Sequence, residues 1–155
     1  LPDIQNELTI RPSHDPAELL TLYQQMLEDE KADMHKSEAQ CLEDMTAFLA
    51  SGEKAFLFMA DDKPVGYALV APGVVGYAIT NSGTSQKPPY LHHFCIARHA
   101  RRKGYGRTAF HLLLKTLDVS EMDLEVFVWN ERGIAFWHSL GFEPRTYMMR
   151  LKETK

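Results

Sequence analysis

The sequence predicts one α/β domain built on a mixed sheet with helices on both faces. Three observations carry that prediction. Segments of helical apolar period alternate with short, dense apolar runs in the order strand, two helices, three strands, helix, strand, helix, strand. The chain has 155 residues, 45% hydrophobic and 25% charged, which is the size and mixture of a single domain spanning 1–155 with its own core. No internal repeat or low-complexity tract interrupts it.

Taken in order, "LTIRP" reads as a short strand ended by Pro12, and Asp15-Pro16 then opens a helix as cap plus first-turn proline. Leu19, Leu22, Tyr23 and Met26 recur at i, i+3, i+4, i+7, the spacing of one buried face. A second helix begins near Ser37 and uses Leu42, Met45 and Leu49 in the same way. "KAFLFMA" and "KPVGYALVA", joined by Asp61-Asp62-Lys63, read as a hairpin. Residues 72–88, with three glycines and prolines at both ends, read as a long connection that could cover a substrate. "PYLHHFCIA" is the next strand, followed by a helix with Phe110, Leu113, Leu114 and Leu117 on one face. "LEVFVW" reads as a strand, Asn130 caps a helix ending at Gly141, and "TYMMRL" closes the chain as a strand.

Composition narrows the function classes. No run of about 18 apolar residues is present and the N-terminus has no secretory pattern, so a cytoplasmic protein without a membrane partner is expected. Cys41 and Cys95 are too few for a disulfide framework and lack metal spacing, so both read as reduced core thiols and no metal centre is expected. Charge is unevenly spread: residues 1–53 hold 12 acids and 3 bases, a net of -9, against 9 acids and 14 bases, a net of +5, in residues 54–155. Either the halves meet different partners, a cation and an anion, or the acids are ordinary solvated helix faces.

The basic residues concentrate in "ARHARRKGYGR", Ala97 to Arg107, between a strand and a helix. A helix N-terminus leaves about four N–H groups unpaired and carries roughly half a positive charge, so a glycine-rich loop at that point forms an anion seat. Gly104 and Gly106 would let the backbone approach a phosphate, with Arg101, Arg102, Lys103 and Arg107 adding charge-assisted bonds. A plain solvated basic loop is one rival. A nucleic-acid patch is another, opposed by the acidic first half and the lack of aromatic platforms. A third is the dinucleotide fingerprint, since Gly104-Tyr-Gly106-Arg-Thr-Ala109 satisfies G-x-G-x-x-A; seven residues separate Ile96 from Gly104, however, where that motif starts directly after its strand.

Arg101-Arg-Lys-Gly104-Tyr-Gly106 also resembles [QR]-x-x-G-x-[GA], the pyrophosphate loop of the GCN5-related N-acetyltransferase (GNAT) superfamily. "LEVFVWNERGIAFWHSLGFEP" resembles the same family's later strand, Asn-led helix and closing Gly-Phe, in register with the loop. The resemblance implies the acyl-CoA N-acyltransferase fold, with a mixed, mostly antiparallel sheet, and acetyl transfer from acetyl-CoA to a primary amine on a small molecule or a lysine. It implies that Arg101, Arg102, Lys103, Gly104, Tyr105, Gly106 and Arg107 hold the coenzyme A diphosphate, and that backbone groups of Phe94 and Ile96 bond the pantetheine. It also implies that Asn130 caps the last helix and faces the cofactor arm and that Trp137 packs against that arm.

An alkyl amine is mostly ammonium near pH 7 and needs a base before it can attack. The family's acids or histidines on this strand match Tyr90 and His92, with His92 the expected base; the arylalkylamine acetyltransferases are similar here. Strand alternation places Tyr90, His92, Phe94 and Ile96 on one face and His93 and Cys95 on the other. The family's usual proton-donating Tyr matches Trp137, whose indole cannot donate a proton at useful pKa, so the general acid is unassigned. That departure keeps a second reading open, an acyl-CoA-binding module without turnover. The resemblance implies that the first two helices line the acceptor side, so their acids suggest a cationic acceptor such as a polyamine or a basic amino acid, and it also admits a homodimer.

Overall fold

The computed structural model describes residues 7–32, 35–73 and 87–153. Most of the expected cover over 72–88 lies outside the described residues. The chain divides into two units, Leu1–Glu125 and Val126–Lys155.

The first unit is a five-stranded sheet in the order β1-β2-β3-β4-β5. β1 (Thr9–Ser13), β2 (Lys54–Ala60), β3 (Lys63–Ala71) and β4 (Tyr90–Ile96) pair antiparallel in sequence, and β5 (Asp123–Leu124) joins β4 in parallel. This is the mixed, mostly antiparallel sheet that the sequence implies. β1 corrects one expectation: Pro12 does not end the strand but lies within it, opposite Phe56. β1 is an edge strand, where a missing N–H is tolerated. The β2–β3 turn uses Asp61 and Asp62 at φ 50° and 61°, the left-handed pair that matches hairpin twist.

α1 (Pro16–Asp29) and α2 (Glu38–Ala50) are fixed at their starts by side chains. Asp15 accepts a hydrogen bond from the Ala17 N–H, and Ser37 with Gln40 forms a reciprocal capping box. α1 buries Leu19, Leu22, Tyr23 and Met26 as its period predicts, with Leu27 added. α2 departs from prediction: Cys41 and Met45 are its buried residues, while Leu42 is exposed. The inward stripe of α2 is thus rotated by one residue and runs on to Phe48 and Leu49, which pack on the core. These helices cover one sheet face, over Ala55, Leu57, Tyr67, Leu69 and Cys95. On alternate positions Phe58 packs on Phe94 at 5.7 Å between ring centres, and Phe94 meets Phe110 of α3 (Tyr105–Leu117) edge-on at 6.3 Å, so helices cover both faces.

The second unit contains α4 (Glu131–Ser139), capped by the Asn130 side chain, which accepts from the Gly133 N–H at 3.0 Å. α4 ends in a Schellman turn, with Phe142 N–H on the Trp137 carbonyl and Gly141 N–H on that of His138. Two expected strands are reduced or missing. "LEVFVW" contributes only Leu124 to β5, and "TYMMRL" is not a strand. Apolar content alone does not make a strand, which needs a ladder partner; Tyr147, Met148, Met149 and Leu151 have none among the described residues and are exposed.

Candidate functional site

β4 organises the site. Its burial alternates as predicted, with Leu91, His93 and Cys95 buried and Tyr90, His92, Phe94 and Ile96 partly exposed. The alternation conceals an irregularity. Leu69 pairs with His93 but Val70 pairs with Leu91, so His92 is an extra residue opposite one β3 step. Such an insertion re-aims side chains, and the imidazoles of His92 and His93 come within 4.3 Å between ring centres. His92 therefore meets Phe48 of α2 at 4.9 Å, while Phe94 faces α3.

The two histidines have different environments. His93 is 7% exposed; Tyr67 bonds its Nδ1 at 2.9 Å, Tyr23 stacks on it at 5.1 Å, and burial followed by neighbouring His92 pushes it down to about 3. It is a neutral core group. His92 is one-third exposed, and its Nδ1 meets Glu53 Oε1 at 2.7 Å. Tyr90 lies 6.0 Å from His92 between ring centres, and its phenol is pushed up to about 12 by burial and by Glu125, to which it is hydrogen-bonded. The β4–β5 ladder consists of Tyr90↔Asp123 and Leu91↔Leu124, so His92 to Ile96 lie beyond it.

Past Ile96 the chain makes a short 3₁₀ turn, Arg98–Ala100, and enters α3 through the glycine loop. Gly104 is the N-cap at φ 78°, and no atom lies within 4 Å of where a Cβ would stand. Gly104 is itself exposed, so the backbone at the start of α3 is open to approach. Tyr105 is buried, Gly106 is partly buried and Arg107 exposed. Arg102 and Lys103 are exposed and have no acidic partner among the described residues. Arg101 is differently engaged: its Nε donates to the Ile96 carbonyl at 3.0 Å and its guanidinium pairs with Asp29. Arg98, which the motif does not mark, bonds Glu28 at 2.7 Å and Asp29 at 3.0 Å. Burial alone would raise Asp29, but hydrogen bonds from Arg101 and Arg98 outweigh it and hold the carboxyl below its usual range.

Both remaining positions lie in the second unit. Asn130 spends its side-chain oxygen on the cap described above. The Trp137 ring packs on Phe136 at 4.8 Å and on Phe142 at 5.3 Å, the apolar contact that accompanies a Schellman turn. Neither cysteine suits nucleophilic work: Cys41 and Cys95 are buried, and burial pushes the Cys95 thiol up to about 12. Among the described residues no cluster of His, Cys, Asp and Glu could hold a metal ion, and no helix is long and apolar enough to cross a membrane.

Glu53 beside His92 and Arg98 beside Asp29 are the contacts of this region that motif reasoning did not mark. Only a weak signal marked Glu53, a Ser-Gly pair at the end of a helical period, which fixes the residue after it without giving that residue a role.

This architecture, a mixed sheet whose fourth strand leads into a glycine-capped helix, is the acyl-CoA N-acyltransferase fold. The chain belongs to the acetyltransferase (GNAT) family, whose model matches residues 18–142, and it is an acyltransferase by class. Solved structures agree in fold. A tetramutant of the BH1408 protein from Bacillus halodurans is similar at 22% identity and TM-score 0.71, over 94% of this chain and 99% of that one. The aminoglycoside N-acetyltransferase AAC(6')-Iy in complex with CoA is similar at 18% identity and TM-score 0.68, over 95% of each chain. A ribosomal-protein-alanine N-acetyltransferase from Brucella melitensis biovar Abortus 2308 is similar at 14% identity and TM-score 0.67, over 94% of this chain and 99% of that one. Among curated proteins none matches.

Proposed function

We propose that this protein moves an acetyl group from acetyl-CoA to a primary amine, on a small molecule or a lysine side chain, by direct attack in a ternary complex. One observation carries the reading: a single strand has a half-buried imidazole near its start and the glycine loop beyond its end. His92 to Ile96 span four steps, roughly 13 Å at about 3.3 Å per residue, on the scale of an extended pantetheine arm.

The α3 N-terminus, Gly104 and the free cations Arg102 and Lys103 suit a diphosphate; Arg101 fastens the loop to α1 and fixes its shape. Bound acetyl-CoA supplies the acetyl group as a thioester. Backbone N–H groups near Phe94 and Ile96 donate to its carbonyl, and His92 accepts the proton that the attacking ammonium must lose. Tyr90 remains a phenol through neutral pH, so it donates hydrogen bonds beside His92 and is not a second base. The buried thiols argue for direct transfer without an acyl-cysteine.

His92→Ala tests the reading. General-base catalysis contributes roughly 10²- to 10⁴-fold, so the variant should lose at least about 100-fold in amine-dependent CoA release at pH 7. At pH 9 an amine of pKa about 10.4 is already a few per cent neutral, and the deficit should shrink by about tenfold or more. A deficit that is the same at both pH values rejects His92 as the base.

A further inference from the structure

The contact between Glu53 and His92 joins residues 39 positions apart and is not part of any motif in the sequence. Three features make it a built contact. The Glu53 side chain is 13% exposed, against 36% and 56% for Glu18 and Glu28 in surface pairs. Its backbone is fixed by a Schellman turn at the end of α2: Glu53 N–H bonds the Phe48 carbonyl at 3.2 Å and Gly52 N–H that of Leu49 at 3.3 Å, with Gly52 at φ 97°. Phe48, in the same last turn, sets its ring edge-on to both imidazoles, at 4.9 and 5.4 Å. The helix end that delivers the carboxylate also supplies the wall against which the His92 ring rests.

The chemistry follows from which nitrogen is occupied. A carboxylate at Nδ1 accepts a hydrogen bond, so the neutral imidazole carries its proton on Nδ1 and its lone pair on Nε2. A free imidazole side chain exchanges between both tautomers, and a hydrogen-bond partner selects one. The register slip in β4 frees the His92 ring to reach Glu53, and the other groups against it are Phe48, the neutral His93 and the phenol of Tyr90. We propose that Glu53 is the positioning residue of His92, holding the ring as its Nδ1–H tautomer so that Nε2 is the nitrogen presented to the amine. This rests on His92 being the base. When Nε2 takes the proton, the carboxylate also balances the imidazolium that forms.

The test combines a spectroscopic and a kinetic measurement on the full chain. Histidine-¹⁵N-labelled protein, observed at a pH where its imidazoles are neutral, should show the Nδ1–H form of His92 in the wild type and a shift towards Nε2–H in Glu53→Met, which removes the acceptor at similar volume. Glu53→Gln retains an acceptor oxygen and should keep more of the Nδ1–H form. With acetyl-CoA and a polyamine or other primary amine that the wild type acetylates, Glu53→Met should lower kcat roughly tenfold to a hundredfold, within the range of acid–base effects, and leave the KM for acetyl-CoA unchanged. An unchanged tautomer in Glu53→Met overturns the inference. So does an unchanged kcat in Glu53→Met while His92→Ala is slow, and that result leaves His92 as the base. Unchanged kcat in both variants removes the base and its positioning residue together.

Discussion

His93 shows how one residue sets a stability limit that its neighbour does not. Its imidazole is enclosed by Tyr23, Phe48 and Tyr67 and held neutral, with burial pushing it from the ordinary 6.5 down to about 3. The unfolded chain takes up a proton below pH 6.5 and the folded chain does not until about pH 3. Stability from this group is therefore complete above 6.5 and is lost as pH falls between those values, at about 1.4 kcal/mol per unit. Asp29 and Asp44, both held low by cationic partners, add acid loss only below their ordinary 3.8. His93→Phe should flatten the decline in unfolding free energy between pH 6.5 and 4, measured by urea denaturation; an undiminished slope would place the acid sensitivity elsewhere. The difference between His92 and His93 was half legible in the sequence. Alternation identified the buried member, but the slip that turns His92 towards α2 depends on which β3 residue each one faces.

The entry to α3 is where a motif becomes a testable element. Gly104 needs φ 78°, which costs a residue with a Cβ roughly 1–2 kcal/mol, and the space beyond it is open. Gly104→Val should thus melt slightly below wild type and, more tellingly, lose its response to coenzyme A. Wild type at about 100 times the dissociation constant should gain roughly 2.7 kcal/mol from acetyl-CoA or coenzyme A and little from NAD or ATP. A preserved coenzyme A shift in the variant discredits the anion seat, and a larger shift with NAD would favour the dinucleotide fingerprint. Elements with local signals were readable in advance: the Asp15-Pro16 start, a second helix from Ser37 and the turn at Asp61-Asp62 all form as their chemistry dictates. Elements decided by a distant partner were not. Pro12 stays in β1 because the strand is an edge, Leu42 is exposed because α2 buries Cys41 and Met45 against the core, and "TYMMRL" lacks a ladder. In the loop, the motif marked Arg101 but could not reveal that Asp29 engages it.

At the scale of the whole molecule, the charge asymmetry has two parts. Some of the excess acid in residues 1–53 is neutralised from the basic half: Glu28 and Asp29 at the end of α1 pair with Arg98 and Arg101, cations placed where the helix dipole favours them. The remainder includes Glu38 and Glu43 on α2, both exposed and without a basic partner among the described residues. α2 is also the helix whose Phe48 and following Glu53 meet His92. On the proposed reading, unneutralised acid on that helix would raise the local concentration of a cationic acceptor, while Arg102 and Lys103 would attract the anionic cofactor at the glycine loop. Screening separates these effects. The Debye length falls from about 30 Å at 0.01 M to about 8 Å at 0.15 M ionic strength. With acetyl-CoA saturating, kcat/KM for a polyamine should drop several-fold across that range, and Glu38→Gln with Glu43→Gln should remove most of the salt dependence. An arylalkyl monoamine should respond weakly in both proteins. Equal turnover of the two amines with a flat salt profile would show that the acids of α2 are a solvated surface, and acceptor choice would then depend on shape.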